Sequence, residues 1–292
     1  MIQKEEEDGS ITIYLAGQTA GNLFGTQPGG NDAFMVALKE SDFSYVWTQQ
    51  LLDNGTSQFS KISLDPSNDT LIYAIGKTDA SWPAFNIVPV GGSEVWIVKL
   101  NRFTGSVINM YSIGSSGDDY GVSITVDNEG NVYGIGSTWG DLDAWGLVSQ
   151  GPSDSVLFKM DSHGNFVWVS LLTTSGFDDL SALALSPDHS VLYIVGGTTA
   201  NMSSNGTEIS SDGYNYNSII GCVNLDNGTV FNIQLSSTPG GSVIFVDVTT
   251  DSSGKIYAAG SLNGESFAGV TREAISYDYD ILLVIYTREE VM

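Results

Sequence analysis

The sequence predicts an all-β fold, a β-propeller of four-stranded antiparallel blades, from three observations. A seven-residue cassette recurs five times, three further strand-length segments travel with it, and the composition suits short strands joined by tight turns. The cassette tyrosines are Tyr14, Tyr73, Tyr133, Tyr193 and Tyr257, spaced 59, 60, 60 and 64 residues apart. Gly, at 34 copies, and the low charged fraction of 15% argue against helices and against wholesale disorder.

The cassette is Ile-Tyr-Leu-Ala-Gly-Gln-Thr at residues 13–19 and returns at 72–78, 132–138, 192–198 and 256–262. An acidic residue and an apolar run follow at 32–38, 94–100, 154–160 and 280–286, with a copy of looser register near 217–223. Short turns at 102–105, 161–164 and 226–228 lead to a third run at 45–47, 107–109, 166–168 and 230–232. A fourth run at 62–64, 122–126, 183–185 and 243–248 enters the next cassette through turns such as 127–131 and 251–255. Each run has strand length, β-branched or aromatic enrichment and Gly, Asn or Asp on its flanks. A parallel β-helix has much shorter rungs, and two stacked sandwiches do not explain one uninterrupted rhythm.

In a blade the fourth run is innermost and the cassette is second. The chain opens with Asp8, Gly9 and Ser10 in the turn before a second strand, so the first blade is expected to lack its inner strand. The fifth is expected to end after its third. Residues 1–10 form a charged lead-in, and 11–292 form a single propeller domain with repeats from about 11, 71, 131, 191 and 255. The expectation is an incomplete part of a larger ring of roughly six to eight blades. A five-bladed ring with defective edges is the alternative.

Composition excludes several functions. The formal charge of −24 repels phosphate backbones, so no nucleic-acid partner is expected. Cys222 is the only cysteine, which rules out an intrachain disulfide, and it lies in an apolar run where a buried thiol is the ordinary reading. The run at 281–286 is too short to cross a membrane, so no membrane insertion is expected. The two histidines, His163 and His189, fall in short turns, too few to gather a zinc site or a Ser-His-Asp site. No phosphate loop, dinucleotide fingerprint or calcium-loop pattern is present, and no catalytic residue, metal ligand or cofactor is assigned. Five glycosylation sequons, at Asn54, Asn68, Asn201, Asn205 and Asn227, fall in loops or turns, as a glycoprotein requires.

The repeat resembles the SBBP-type β-propeller family, whose pattern joins Tyr-x-x-Gly-x-Thr, an Asp-Ala-Phe-like strand with a following Lys, a Gly-x-x-x-Trp strand and a Gly-Asp-Asp loop. The matching positions are residues 21–34, Lys99 and Lys159, Trp47 and Trp168, and Gly117 with Asp118 and Asp119. The resemblance runs from about Ile11 to Tyr286. Ala37 stands in place of the Lys in the first copy, and Asn109 in place of the Trp in the second. What the resemblance implies is an extracellular or cell-surface propeller of mostly undefined role, with no catalytic residues.

Antiparallel strands place every second connection on one face. The second-to-third connections, at 20–31, 79–93, 139–153, 199–216 and 263–279, are the longest and most varied, which marks that face for binding. It carries Trp82, Phe85, Trp139, Trp145, Tyr214 and Tyr216 as candidate contacts. Such rings suit sugar stacking or protein contacts, and they also serve to cover apolar surface at the blade tops. The same face collects Asp32, Glu94, Asp154 and Asp280 at strand entries and Asp118, Asp119, Asp178 and Asp179 in blade-to-blade loops. A repeated Asp ordinarily caps a loop by accepting backbone N–H bonds. The function expected is a non-catalytic binding or scaffold propeller that meets a protein or glycan through these loops. A glycan-active hydrolase or lyase with carboxylates in a central funnel, and a purely structural array, are the alternatives.

Overall fold

The computed structural model describes residues 1–23, 30–204, 207–209, 215–238, 241–263, 266–267, 270–271 and 280–292. It is all-β and arranged as five antiparallel sheets, the blades. The first holds β1 (Ile2–Glu5), β2 (Ile11–Thr19), β3 (Asp32–Lys39) and β4 (Tyr45–Leu51). The second holds β5 (Ser57–Leu64), β6 (Leu71–Thr78), β7 (Glu94–Asn101) and β8 (Val107–Ile113). The third runs through β9 (Asp119–Val126), β10 (Val132–Thr138), β11 (Asp154–Met160) and β12 (Phe166–Leu172). In the fourth, β13 (Asp178–Leu185) and β14 (Leu192–Thr198) are followed by a small hairpin of β15 (Met202–Ser204) and β16 (Thr207–Ile209). That sheet is completed by β17 (Asn217–Val223) and β18 (Val230–Ser236). The fifth has β19 (Ser242–Thr250) and β20 (Ile256–Asn263), a two-residue hairpin of β21 (Ser266–Phe267) and β22 (Val270–Thr271), and then β23 (Asp280–Tyr286). A single helical turn, α1 (Arg288–Val291), follows.

Contacts divide the chain into two compact units. One comprises residues 1–143 and 161–165, the other 144–160 and 166–292. Each has its own apolar cluster. The first gathers Tyr14, Met35, Trp47, Phe59, Ile72, Trp96 and Leu100, and the second gathers Tyr193, Val195, Ile220, Phe245, Ile256 and Val291. Trp96 is stacked between Phe59 and Trp82, with ring centroids 5.2 and 5.5 Å away, in the first cluster.

The first blade corrects the expectation that its inner strand is missing. Ile2–Glu5 pairs antiparallel with Ile11–Tyr14, and residues 6–10 make the turn. The charged lead-in hides a strand because its charges, Lys4 on the face of Ile2 and Glu5 on the exposed face, break the apolar alternation of a short edge. Arg102, fully buried, fixes this strand. Its guanidinium grips the Glu6 carboxylate through two bonds of 2.9 and 3.0 Å, meets the Tyr14 hydroxyl at 3.1 Å and pairs with Asp69. Burial opposes its charge, but these partners hold the guanidinium protonated, above its ordinary range.

The repeat residues earn their places at junctions between neighbouring blades. In the inner strands of blades two to five, one extra residue (Ser60, Val122, Ser181 or Val246) bulges out of register against the second strand. The bulge brings the inner-strand backbone against the cassette glycine. A Cβ on Gly76, Gly196 or Gly260 would overlap the carbonyl oxygen of Gln58, Asp179 or Ile244. In the outer strand, Trp47 lies on Gly105 of the next blade's turn and donates its indole N–H to Arg102 O at 2.6 Å. Trp168 does the same with Gly228 and Leu225 O, at 3.0 Å. The turn glycines need their left-handed φ of 72° and 73°. Where Asn109 replaces the Trp, Tyr111 lies on Gly164 instead, because residues two apart share a strand face. The third-strand Lys99 and Lys159 each reach a turn carbonyl at 3.3 Å, of Ser162 and Leu225. In the fourth blade Cys222 stands at that position, and α1 takes the turn's place. Cys222 Sγ lies 3.6 Å from Val291 O, while the Asn232 and Gln234 amides donate to Met292 O and Glu290 O. Burial pushes the Cys222 thiol up to about 11.

Candidate functional site

On the long-loop face the candidate aromatics divide by role. Trp82 precedes and Phe85 ends a short 3-10 turn (Pro83–Phe85); both are half-buried and pack on the first unit's apolar cluster. Tyr216 donates its hydroxyl to Asp179 at 2.5 Å. Burial and that carboxylate keep the phenol well above its ordinary pKa. Trp139 is 43% exposed and Trp145 37% exposed. Trp139 meets Tyr120 edge-on at 5.1 Å, and Trp145 meets Phe166 edge-on at 5.3 Å. Tyr214 lies outside the described residues.

The carboxylates at the blade tops form a buried network. At the inner-strand entries of the second, third and fourth blades a polar side chain reaches back four residues. Asp119 accepts Ser115 N at 2.6 Å, Asp178 accepts Thr174 N at 2.6 Å, and Ser57 donates to Asp53 at 2.5 Å. The cassette threonine closes each set. Thr198 donates to Asp178 at 2.6 Å, Thr78 meets Ser57 at 2.8 Å, and Thr138 bonds Asp119. In the fifth blade both members of the pair become apolar, Val243 opposite Leu262. The neighbouring blade's third-strand acid comes close: Glu94 to Asp119, Asp154 to Asp178 and Asp32 to Asp53. Burial, then these like charges, push Asp119 and Asp178 up to about 6 against their hydrogen bonds and raise Asp53 as well. Glu94 and Asp154 cap their own loops, accepting Val90 N at 2.6 Å and Gln150 N at 3.0 Å. Most of the blade-top acids are therefore structural caps. Among the described residues, no group of three or more His, Cys, Asp or Glu is placed to hold a metal ion.

One open cleft lies on this face, between the second and third blades within the first unit. It encloses about 290 Å³ and is lined by Thr56, Lys77, Asp79, Ser93, Asp118 and Tyr120, with the Gly92 backbone. Lys77 Nζ sits 4.4 Å from the centre of the Tyr120 ring. Asp79 Oδ1 accepts Thr56 N at 2.5 Å, and Asp118 Oδ1 accepts Ser93 N and Oγ at 3.0 and 3.2 Å. Of these residues, sequence reasoning singled out Asp118 alone. Lys77 and Tyr120 were missed because each occupies a variable place in the repeat. The signal was available: the cassette's sixth residue is Gln18, Ser137, Gly197 or Ser261 in the other copies and a cation only here.

A family model described as a β-propeller repeat, SBBP, matches residues 111–143. An uncharacterized WD repeat-containing protein, L264, of Acanthamoeba polyphaga mimivirus is 28% identical over 172 residues, 53% of this chain and 12% of that protein. Among solved structures, Kuenenia stuttgartiensis hydrazine synthase superposes with a TM-score of 0.46 at 11% identity, covering 92% of this chain and 67% of that one. TolB from Acinetobacter baumannii gives 0.42 at 13% identity, and the match covers 92% of this chain and about half, 51%, of that one. The matched segment 111–143 begins at Tyr111, which lies on Gly164, and includes the Asp119–Thr138 pair, so this segment of the chain is similar to the SBBP β-propeller repeat.

Proposed function

We propose that this chain is a non-catalytic binding propeller, exposed outside the cell or at its surface, that meets a protein or glycan through its long-loop face. The observation that carries the proposal is the open, polar, aromatic-rimmed cleft between the second and third blades, set on strands whose repeat residues are spent on blade-to-blade packing. The distribution of the carboxyls supports a binding role over catalysis. A general acid needs a raised pKa within reach of substrate. Asp119 and Asp178, both near 6, are fully buried beneath the loops and capped by threonine and backbone. The four sequon asparagines that lie among the described residues, Asn54, Asn68, Asn201 and Asn227, are exposed, as attachment of a glycan requires. Among the described residues no helix is long and apolar enough to cross a membrane.

The test replaces residues 80–92 by a short Gly-Ser linker and screens wild type and variant against a glycan array and a displayed library of cell-surface proteins. The expected result is a cooperatively folded variant that loses the wild-type hits. Hits that persist after every long loop has been grafted overturn the proposal. So does turnover of chromogenic glycosides that is abolished by Asp79→Asn or Asp118→Asn.

A further inference from the structure

We infer that the cleft lined by Lys77, Asp79, Asp118 and Tyr120 is a subsite for one neutral sugar residue; the inference rests on the binding role proposed above. Its two walls are built alike. Each carboxylate presses against a glycine: a Cβ on Gly55 would overlap Asp79 Oδ1, and one on Gly92 would overlap Asp118 Oδ1. Each spends Oδ1 on a neighbouring backbone N–H, of Thr56 or Ser93. Among the described residues the second oxygen of each bonds no protein donor, so both remain acceptors in the lining of one small space. The floor supplies the complementary group. Lys77 is held over the Tyr120 ring and, among the described residues, forms no ion pair, although two carboxylates line the same cleft.

A ligand for this space must donate to two carboxylates and accept from an ammonium at once. An anion is repelled by Asp79 and Asp118, in a chain of charge −24. A cation meets Lys77, and an apolar group finds few partners in a mainly polar lining. Adjacent hydroxyls on a ring meet all three demands, since each both donates and accepts. Trp139, 43% exposed and edge-on to Tyr120, offers an apolar face at the rim for the C–H side of such a ring. A volume of about 290 Å³ stands at the lower end of small-ligand pockets and suits a single unit of a longer chain.

Departure from the repeat points the same way. The counterparts of Lys77 are Ser137 and Gly197, whereas Asp118 belongs to the Gly-Asp-Asp loop of the repeat and Asp79 caps Thr56 N as Thr199 caps Phe177 N. At the junction of the fourth and fifth blades the corresponding place is closed. The Tyr216 ring lies against Gly197 and donates to Asp179. A cation set against Tyr120, where the other cassettes carry Gln18, Ser137, Gly197 or Ser261, marks this junction for a ligand.

The experiment titrates wild-type protein with the methyl glycosides of glucose, galactose, mannose and N-acetylglucosamine, with sodium glucuronate and with acetyl-arginine amide, read by saturation-transfer NMR and calorimetry. At least one neutral glycoside should bind, and Asp118→Asn and Lys77→Met should each weaken it by about tenfold, the worth of one charge-assisted hydrogen bond. Val148→Ser, which does not line the cleft, should not. Cooperative unfolding checks that each variant folds. Saturation by acetyl-arginine amide or glucuronate in place of the neutral glycosides overturns the inference, as does binding indifferent to both cleft variants, or no binding at all. If the glycosides fail while loop-sensitive capture of a surface protein persists, the sugar subsite falls and the binding role stands.

Discussion

At the scale of single residues, the buried carboxyls make stability depend on pH in an unusual direction. Asp119 and Asp178 titrate near 6 in the fold because burial and a facing acid disfavour their charge, against an ordinary value of 3.8. The folded chain therefore binds more protons than the unfolded chain between about pH 4 and 6, so stability falls as pH rises through that window. The penalty is absent below the unfolded pKa and complete above the folded one, at about 2–3 kcal/mol per group before coupling to Glu94 or Asp154 is considered. Below about pH 4 the exposed turn aspartates act in the opposite sense. Asp251, held down to about 2 chiefly by Ser253, loses its contribution as pH falls. The midpoint of urea unfolding is expected to be higher at pH 5 than at pH 7.5. Asp119→Asn, which can still accept from Ser115 N, should flatten that difference and raise the pH 7.5 midpoint. A midpoint that climbs steadily from pH 5 to 7.5 would contradict the assignment.

At the scale of elements, the cassette glycine shows how one motif position takes different weight in different blades. Gly76 faces the bulged inner strand, where a methyl group has nowhere to go, so Gly76→Ala is expected to cost about 2–3 kcal/mol. Gly17 holds the same place in the first blade, but β1 pairs only as far as Tyr14 and no bulge reaches it. A Cβ there would first meet the Phe34 ring, at 3.3 Å, a side chain able to yield. Gly17→Ala should stay within about 1 kcal/mol of wild type in the same unfolding measurement. Equal losses at both positions would remove the bulge from the explanation.

At the scale of the whole molecule, the third-strand positions of the repeat differ in burial between blades. In the second blade Val95 and Ile97 are fully buried. Their counterparts on β23, Ile281 and Leu283, are 96% and 62% exposed, and the strand is the edge of a three-stranded sheet. An apolar edge with unpaired backbone groups is a template for association. The charge of −24 opposes it at low ionic strength, and salt screens that repulsion. Light scattering should therefore rise with salt for the wild type, and Ile281→Lys with Leu283→Thr should suppress the rise. Scattering unchanged by the pair of substitutions would locate the self-association elsewhere.

Strand positions were legible in the sequence because each depends on a local pattern repeated five times. The cassettes at 132–138 and 192–198 coincide with β10 and β14, and the loose fourth copy at 217–223 is β17. The strand of residues 2–5 was not legible, since its identity depends on Arg102, nearly a hundred residues away, gripping Glu6. Likewise the loss of the Trp at Asn109 read as a weakened repeat until Tyr111 was seen lying on Gly164. The site follows the same division. The sequence by itself determined that blades form, which face bears the long loops and that acids gather there, because those are matters of period and alternation. Only the tertiary structure decided which acids are buried caps and which stay open. That distinction rests on contacts between residues distant in sequence: Thr138 bonds Asp119 across one sheet and Glu94 of the neighbouring blade faces it, whereas Lys77, Asp79 and Asp118 line an open cleft.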